Sequence, residues 1–334
     1  MNATYTATRN TAALFDFSEE GRFYISGDDC VPFINALIST DLDSIQEFTL
    51  LNTLFLNKDG TILAIVWVLK DEERIIILTE PDRRQVVTEH LNTHRDNWNI
   101  EISDETERTR CLAVIGPQAQ EITREVADDD IVGLSYLGFE WNEVVDALLC
   151  RIGYVGEYEY RFIVPTEQAQ SLENRIVEKG KDYDLEEQGD LSVLSVLKLE
   201  MRSLNQQRDV PPNVTAIQAG LHWMIDFRKD EFIGRDAIHE QKKAKGRKLL
   251  TLLFDGEDLP PIPSEVFIEE QKLGKLVNVE YSPTVGKSIG LAYIDEDLAY
   301  VGISFYILVN DKTLSAQSVS APLFITNTVK GISQ

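Results

Sequence analysis

The chain has 334 residues, enough for two or three domains that each bury a core. Its 56 acidic and 32 basic residues give a formal net charge of −24, which repels phosphate backbones and anionic lipid surfaces and argues against nucleic-acid or membrane partners. A hydrophobic content of 43% without low-complexity runs describes a globular chain throughout.

The opening MNATYTATRN lacks the apolar stretch of a signal peptide. The longest apolar run, Thr61 to Leu69, is about half a membrane span and suits a buried strand. Three cysteines, Cys30, Cys111 and Cys150, form no CxxC pair and fall in core-like segments, as buried thiols of a reducing compartment would. These features lead us to expect a cytoplasmic location.

In chain order, residues 23–26 (FYIS) read as a short strand. A helix should follow, with Asp28 and Asp29 as N-caps and Phe33, Ile34, Leu37 and Ile38 on one face. Residues 49–56 and 61–69 are apolar and β-branched, and Asn57-Lys58-Asp59-Gly60 joins them as a hairpin turn. A third strand at 75–79 precedes a helix from Asp82 to His90, then strands near 98–102 and 111–115 and a helix opened by Gly116-Pro117. The stretch RIGYVGEYEYRFIVP (151–165) places a charged, glycine-hinged loop before an apolar strand, so it is either a hairpin corner or a loop presenting Glu157.

Thr166 should cap a helix that buries Ala169, Leu172 and Ile176 and ends at Gly180. Another helix spans Leu191 to Met201, and 202–220, with two prolines, reads as loop. Asp236 to Lys245 is helical and ends in a lysine-rich run suited to the negative helix terminus and an exposed linker. From 248 to 325 the signals are almost all strand, with turns at Pro260-Pro261, Pro283 and Asn310-Asp311. The fold class is α+β followed by an all-β domain.

His90 and His94 have a metal-gripping spacing, but no third ligand is recognisable nearby, so no metal site is assigned. GxxxxGK[ST], GxGxxG and GxSxG are all missing.

Seven ordered stretches together resemble the folate-binding aminomethyltransferase family, the T-protein of the glycine cleavage system and its relatives. They are Leu14-Phe15-Asp16-Phe17-Ser18 with Gly27-Asp28-Asp29; Phe55-Leu56-Asn57 with Gly60; Ile115-Gly116-Pro117-Gln118-Ala119; and Arg151 to Arg161, against Arg-x-Gly-Tyr-Thr-Gly-Glu-x-Gly-Tyr-Glu. The others are Leu197-Lys198-Leu199-Glu200; Gly220-Leu221-His222-Trp223 with Phe232-Ile233-Gly234-Arg235-Asp236-Ala237; and Tyr281-Ser282-Pro283-Thr284 with Ile289-Gly290-Leu291-Ala292.

The resemblance implies three domains around a central cavity that holds tetrahydrofolate. Residues 1–48 and 146–245 would form a first α+β domain, 49–145 a second inserted into it, and 246–334 a β-barrel or jelly roll. It also implies that Glu157 hydrogen-bonds the pterin, since a carboxylate matches two adjacent N–H donors. Tyr154 would wall the pocket, and Thr79 and Arg235 complete the cofactor-binding candidates.

The family's Gly-Gly-x-x-Asp-Asp run departs here to Asp59-Gly60-Thr61-Ile62-Leu63-Ala64, with Leu63 and Ala64 at the acid positions, and its later asparagine falls on Thr79. Its Ala-Arg-Asp reads Val193-Leu194-Ser195. Leucine and alanine cannot move a proton. Acid or base candidates are then Tyr154, Asp209 and His222. The expectation is a tetrahydrofolate-dependent one-carbon transferase or demethylase acting on a small methylated or aminomethyl donor, not the standard glycine-cleavage reaction. The alternative is a folate-binding protein without turnover, regulatory or assembly in role.

Overall fold

The computed structural model describes residues 2–127, 129–309 and 312–332. Its strands are β1 (Ala12–Asp16), β2 (Gly21–Ser26), β3 (Thr49–Leu56), β4 (Ile62–Lys70), β5 (Arg74–Thr79), β6 (Glu101–Asp104), β7 (Thr109–Ile115), β8 (Phe139–Asn142), β9 (Ala147–Ile152), β10 (Glu159–Pro165) and β11 (Leu185–Glu186), then β12 (Arg247–Phe254), β13 (Ser264–Ile268), β14 (Gln271–Ser282), β15 (Lys287–Asp295), β16 (Ser304–Val309) and β17 (Lys312–Val319). The helices are α1 (Ala3–Asn10), α2 (Cys30–Leu37), α3 (Arg84–His94), α4 (Ala119–Ala127), α5 (Thr166–Gly180), α6 (Leu194–Met201), α7 (Gln206–Asp209), α8 (Arg235–Gln241) and α9 (Asn327–Ile332).

The architecture is α+β with a closed C-terminal barrel. One sheet runs β11-β1-β7-β10-β9-β8, a second β3-β4-β5-β2-β6, and the barrel β12-β15-β14-β13-β16-β17. Alternation decides which faces meet. Phe15, Ala113, Cys150 and Ile163 of the first sheet share one core with Leu50, Trp67, Leu69 and Ile76 of the second. The opposite faces are covered by helices: Leu112, Val114 and Phe162 pack with residues of α4 and α5, and Val66, Val68, Ile75 and Ile77 with residues of α2 and α3.

The β3–β4 hairpin forms as its turn chemistry requires: Gly60 takes φ +79°, and Asp59 accepts the Thr61 N–H at 3.0 Å. Other local details differ from expectation. Asp29 sits at the N-cap of α2 without capping it, because its carboxylate accepts the Asn99 N–H instead (2.8 Å). Pro165 takes the N-cap place of α5 and Thr166 is its first residue. The expected loop 202–220 contains α7, capped by Asn205 accepting from Arg208 N (3.0 Å). The turn at Asn310-Asp311 lies outside the described residues.

The two sheets interleave along the chain. β2 hydrogen-bonds to β5, so it belongs with β3–β6, while β7, β8 and β9 join β1 and β10 in the first sheet. The reason is register: Phe23 to Ser26 face Ile77 to Arg74 across a ladder that only the second sheet offers. The barrel is tied to the rest by Glu200 of α6, fully buried, which accepts from Tyr5 Oη (2.6 Å), Ser282 Oγ (2.5 Å) and Arg9 Nη2 (2.5 Å). After β17 the chain leaves the barrel and returns to α1 and the loop before β10. Among the described residues no helix is long and apolar enough to cross a membrane.

Candidate functional site

β4 lies between β3 and β5 in the second sheet, and its alternation sets the site. Ala64 is fully buried in the core that α2 and α3 cover, whereas Ile65 and Trp67 face a cavity of about 430 Å³. Asn52 on β3, Tyr136, Gly153 and Tyr154 from the first sheet's loops, and Met201 to Leu204 after α6 continue the lining. Residues 219–221, Trp223, Met224 and Ala321 close it. Three structural units therefore contribute to one cavity, and among the described residues no Asp, Glu or His lines it.

Tyr154 is its central wall. The Trp67 Nε1–H donates to the Tyr154 hydroxyl, and burial pushes that phenol well above its ordinary pKa. At neutral pH the hydroxyl therefore stays protonated, available as a hydrogen-bond donor and not as a base. Arg202 stands in the left-handed region (φ +58°) beyond α6, with Nη2 donating to Leu249 O at 2.8 Å and meeting no carboxylate among the described residues. Gly220, at φ +73°, makes room for that guanidinium, since a Cβ there would lie 3.0 Å from Nη2.

A larger cavity, about 620 Å³, lies on the other side of Tyr154 and is lined by Phe17, Glu20, Glu80, Leu194, Lys198 and Arg208 among others. Lys198 Nζ sits 4.5 Å from the Tyr154 ring centroid and pairs with Glu80 at 3.0 Å, so Tyr154 partitions the two spaces. Behind the partition Arg161 is fully buried, its Nε on Glu159 (2.7 Å), its Nη1 on Glu20 (2.6 Å) and its plane 4.3 Å from the Phe17 ring. Burial alone would lower the Arg161 pKa, but Glu20 and Glu159 hold it above its ordinary value; burial raises the Glu20 carboxyl.

The candidates read from sequence are only partly gathered here. Tyr154 is in place. Glu157, buried, spends its carboxylate on Thr328 N (2.8 Å), Thr328 Oγ1 (2.7 Å), Asn327 N (3.3 Å) and Arg9 Nη1 (3.4 Å), away from both cavities. Thr79 is buried at the end of β5 with its Oγ1 unpartnered and lines neither cavity, although the next residue, Glu80, lines the larger one. Asp209 is buried between Asn205 N and Asn278 Nδ2, both at 2.7 Å, and belongs to the barrel junction. His222 is exposed. Arg235 lies on a separate open groove, donating to Lys229 O (3.1 Å) and pairing with Asp236 (2.9 Å).

His90 packs against Phe55 (4.9 Å) with Nε2 buried and unpartnered, and burial lowers its pKa to about 4. Among the described residues no three His, Cys, Asp or Glu are grouped to hold a metal ion.

Sequence reading missed Ile65, Trp67, Lys198, Arg202 and Arg161. The last had a signal: Glu159 and Arg161 occupy the Gly and final Glu positions of the quoted glycine-hinged pattern, a paired change.

Comparison with known proteins gives the fold and site a context. Residues 1–229 match the model described as the GCVT N-terminal domain, and 247–324 the glycine cleavage T-protein C-terminal barrel domain. The chain is 30% identical over 330 residues to an aminomethyltransferase of Caldanaerobacter subterraneus subsp. tengcongensis, covering 97% of this chain and 87% of that one. It is 28% identical over 322 residues to an aminomethyltransferase of Thermotoga neapolitana, covering 95% and 88%. The crystal structure of the glycine cleavage system aminomethyltransferase T from Bartonella henselae superposes with a TM-score of 0.89 at 19% identity, over 97% of this chain and 89% of that one, and so shares its fold. The chain belongs to the glycine cleavage T-protein family of tetrahydrofolate-dependent aminomethyltransferases.

Proposed function

We propose that the aromatic cavity binds tetrahydrofolate and that the chain transfers a one-carbon unit between it and a small methylated or aminomethyl donor, by a route other than the glycine-cleavage one. The observation that carries this is the cavity itself: Trp67, Tyr136, Tyr154 and Trp223 supply ring faces, and Arg202 supplies a guanidinium with no carboxylate partner. Flat rings pack on such walls, and a carboxylate-bearing tail satisfies such an arginine. Tetrahydrofolate brings the one-carbon carriage; the chain's residues bind it, orient it and exclude water. Tyr154 can donate a hydrogen bond at its hydroxyl.

The departure from glycine cleavage rests on Ile65 and on the cavity's lack of lining carboxylates and imidazoles. The same observation favours a second reading, folate binding without turnover. Calorimetric titration with tetrahydrofolate tests binding: no heat at millimolar ligand rejects both readings. Arg202→Met should weaken binding about tenfold, the scale of one charge-assisted hydrogen bond. A panel of methylated amines, ethers and sulfonium compounds, assayed for methyl- or methylenetetrahydrofolate, separates transfer from binding alone.

A further inference from the structure

We propose that residues 320–332 form a strap across the aromatic cavity and that Glu157 is its latch. The strap begins where β17 ends and contributes Ala321 to the cavity wall. Phe324 then lies 5.1 Å from the Arg9 guanidinium, and three consecutive residues make the polar attachments. Thr326 Oγ1 donates to Gly156 O (2.7 Å), and Asn327 Nδ2 to Arg9 O (2.7 Å). Thr328 gives both its N–H and its hydroxyl to one oxygen of Glu157, and its Oγ1 accepts Tyr158 N at 3.2 Å.

Ala321, Leu323 and Phe324 are half-buried, Leu323 against the Leu199 and Leu249 core, whereas Ile325 is 63% exposed. A terminal segment that adds no strand to a sheet and rests on a few polar attachments and two large half-buried apolar side chains opens more readily than the sheets beneath it. The strap is nevertheless seated on the cavity wall: at Gly156 a Cβ would lie 2.6 Å from Met201 Sδ and 2.8 Å from Thr326 Cγ2, and Met201 lines the cavity. The loop 153–158 thus carries Gly153 and Tyr154 on the cavity and Gly156 and Glu157 on the strap. Release of one end is felt at the other. Glu157, which the sequence suggests as a ligand contact, instead controls access.

Thr328→Val keeps side-chain volume and removes only the hydroxyl; Glu157→Gln keeps shape and removes the charge. In the full-length Thr328→Val protein the amides of 326–332 should exchange with solvent about tenfold faster or more, with the sheets unchanged, as loss of the Oγ1 hydrogen bonds to Glu157 and from Tyr158 N predicts. Stopped-flow mixing with tetrahydrofolate should then show association and dissociation rates rising together by about tenfold while Kd moves less than about threefold, because a strap changes access and not contacts. Faster strap exchange with unchanged rates overturns the proposal.

This kinetic readout rests on tetrahydrofolate binding in the cavity; acrylamide quenching does not. Taken as the difference from a Trp67→Phe background, Trp67 quenching should increase in both Thr328→Val and Glu157→Gln. Unchanged Trp67 quenching with the strap released overturns the proposal even if no folate binds.

Discussion

Asp209 Oδ1 accepts the Asn278 Nδ2–H at 2.7 Å, and this contact fastens the linker after α6 to the barrel strand β14. Tyr293 Oη donates to the Asp209 carbonyl at 2.9 Å, so side chain and backbone are both held by the barrel. Burial pushes the carboxyl up to about 6, against the lowering effect of the Asn205 and Asn278 hydrogen bonds. A residue that reads in sequence as a possible acid is therefore a joint between units.

That raised value fixes a sign. The folded protein holds the Asp209 proton more tightly than the unfolded chain, so this group's stabilising contribution is full below about pH 4 and is lost as pH rises through about 6. Wild type should gain stability relative to Asp209→Asn as pH falls from 7 to 4. Calorimetric melting of the two proteins at matched pH checks it; a constant difference in Tm rejects it.

His90 acts in the opposite sense. Its folded pKa, near 4, lies below the usual 6.5, so burying the neutral ring contributes stability above pH 6.5 that disappears as pH falls toward 4. His90→Phe, placed against Phe55, should be more stable than wild type at pH 5 and differ less at pH 8. Urea midpoints at the two pH values measure this.

β4 offers a paired test of the cavity face. Ile65→Asp puts a carboxylate on the cavity wall, where a positioned acid or base is worth about a hundredfold or more in rate. It should raise methylenetetrahydrofolate formation from an aminomethyl donor. Ala64→Asp puts the same group in a fully buried core and should prevent folding. Equal behaviour of the two variants in circular dichroism and in the assay would contradict the face assignment.

Arg161 neutralises two carboxylates at once. Arg161→Met leaves Glu159 and Glu20 without their shared cation and should cost about 3–5 kcal/mol of stability. Adding Glu159→Gln should recover part of the loss. Denaturant titration of the single and double variants measures the coupling.

Much of the fold is legible because local chemistry and tertiary demand agree. Asn57 to Gly60 can only turn, and 62–70 can only be buried strand, so the hairpin follows. The site is less legible because it depends on which side of a strand a residue faces. The resemblance places the missing acids at Leu63 and Ala64, and only the observed alternation shows that Ile65 and Trp67 reach the cavity. Arg202 was hidden for another reason: its left-handed backbone turns it out of the line of α6, and no side-chain pattern announces that. Glu157 sits next to the right loop but points at a segment 170 residues away, a partner that spacing cannot reveal.

The interleaving of the two sheets bears on how the chain folds. β1 and β7 are hydrogen-bonded neighbours, Asp16 opposite Leu112, although they lie about a hundred residues apart. Everything between Gly21 and Asp104 that forms strand belongs to the second sheet. That sheet, once formed, brings its own ends together and shortens the loop that β1 and β7 must close. The first sheet's central pairing is thus entropically contingent on the inserted unit, and slow-folding variants should map to β2 and β5 before they map to β1.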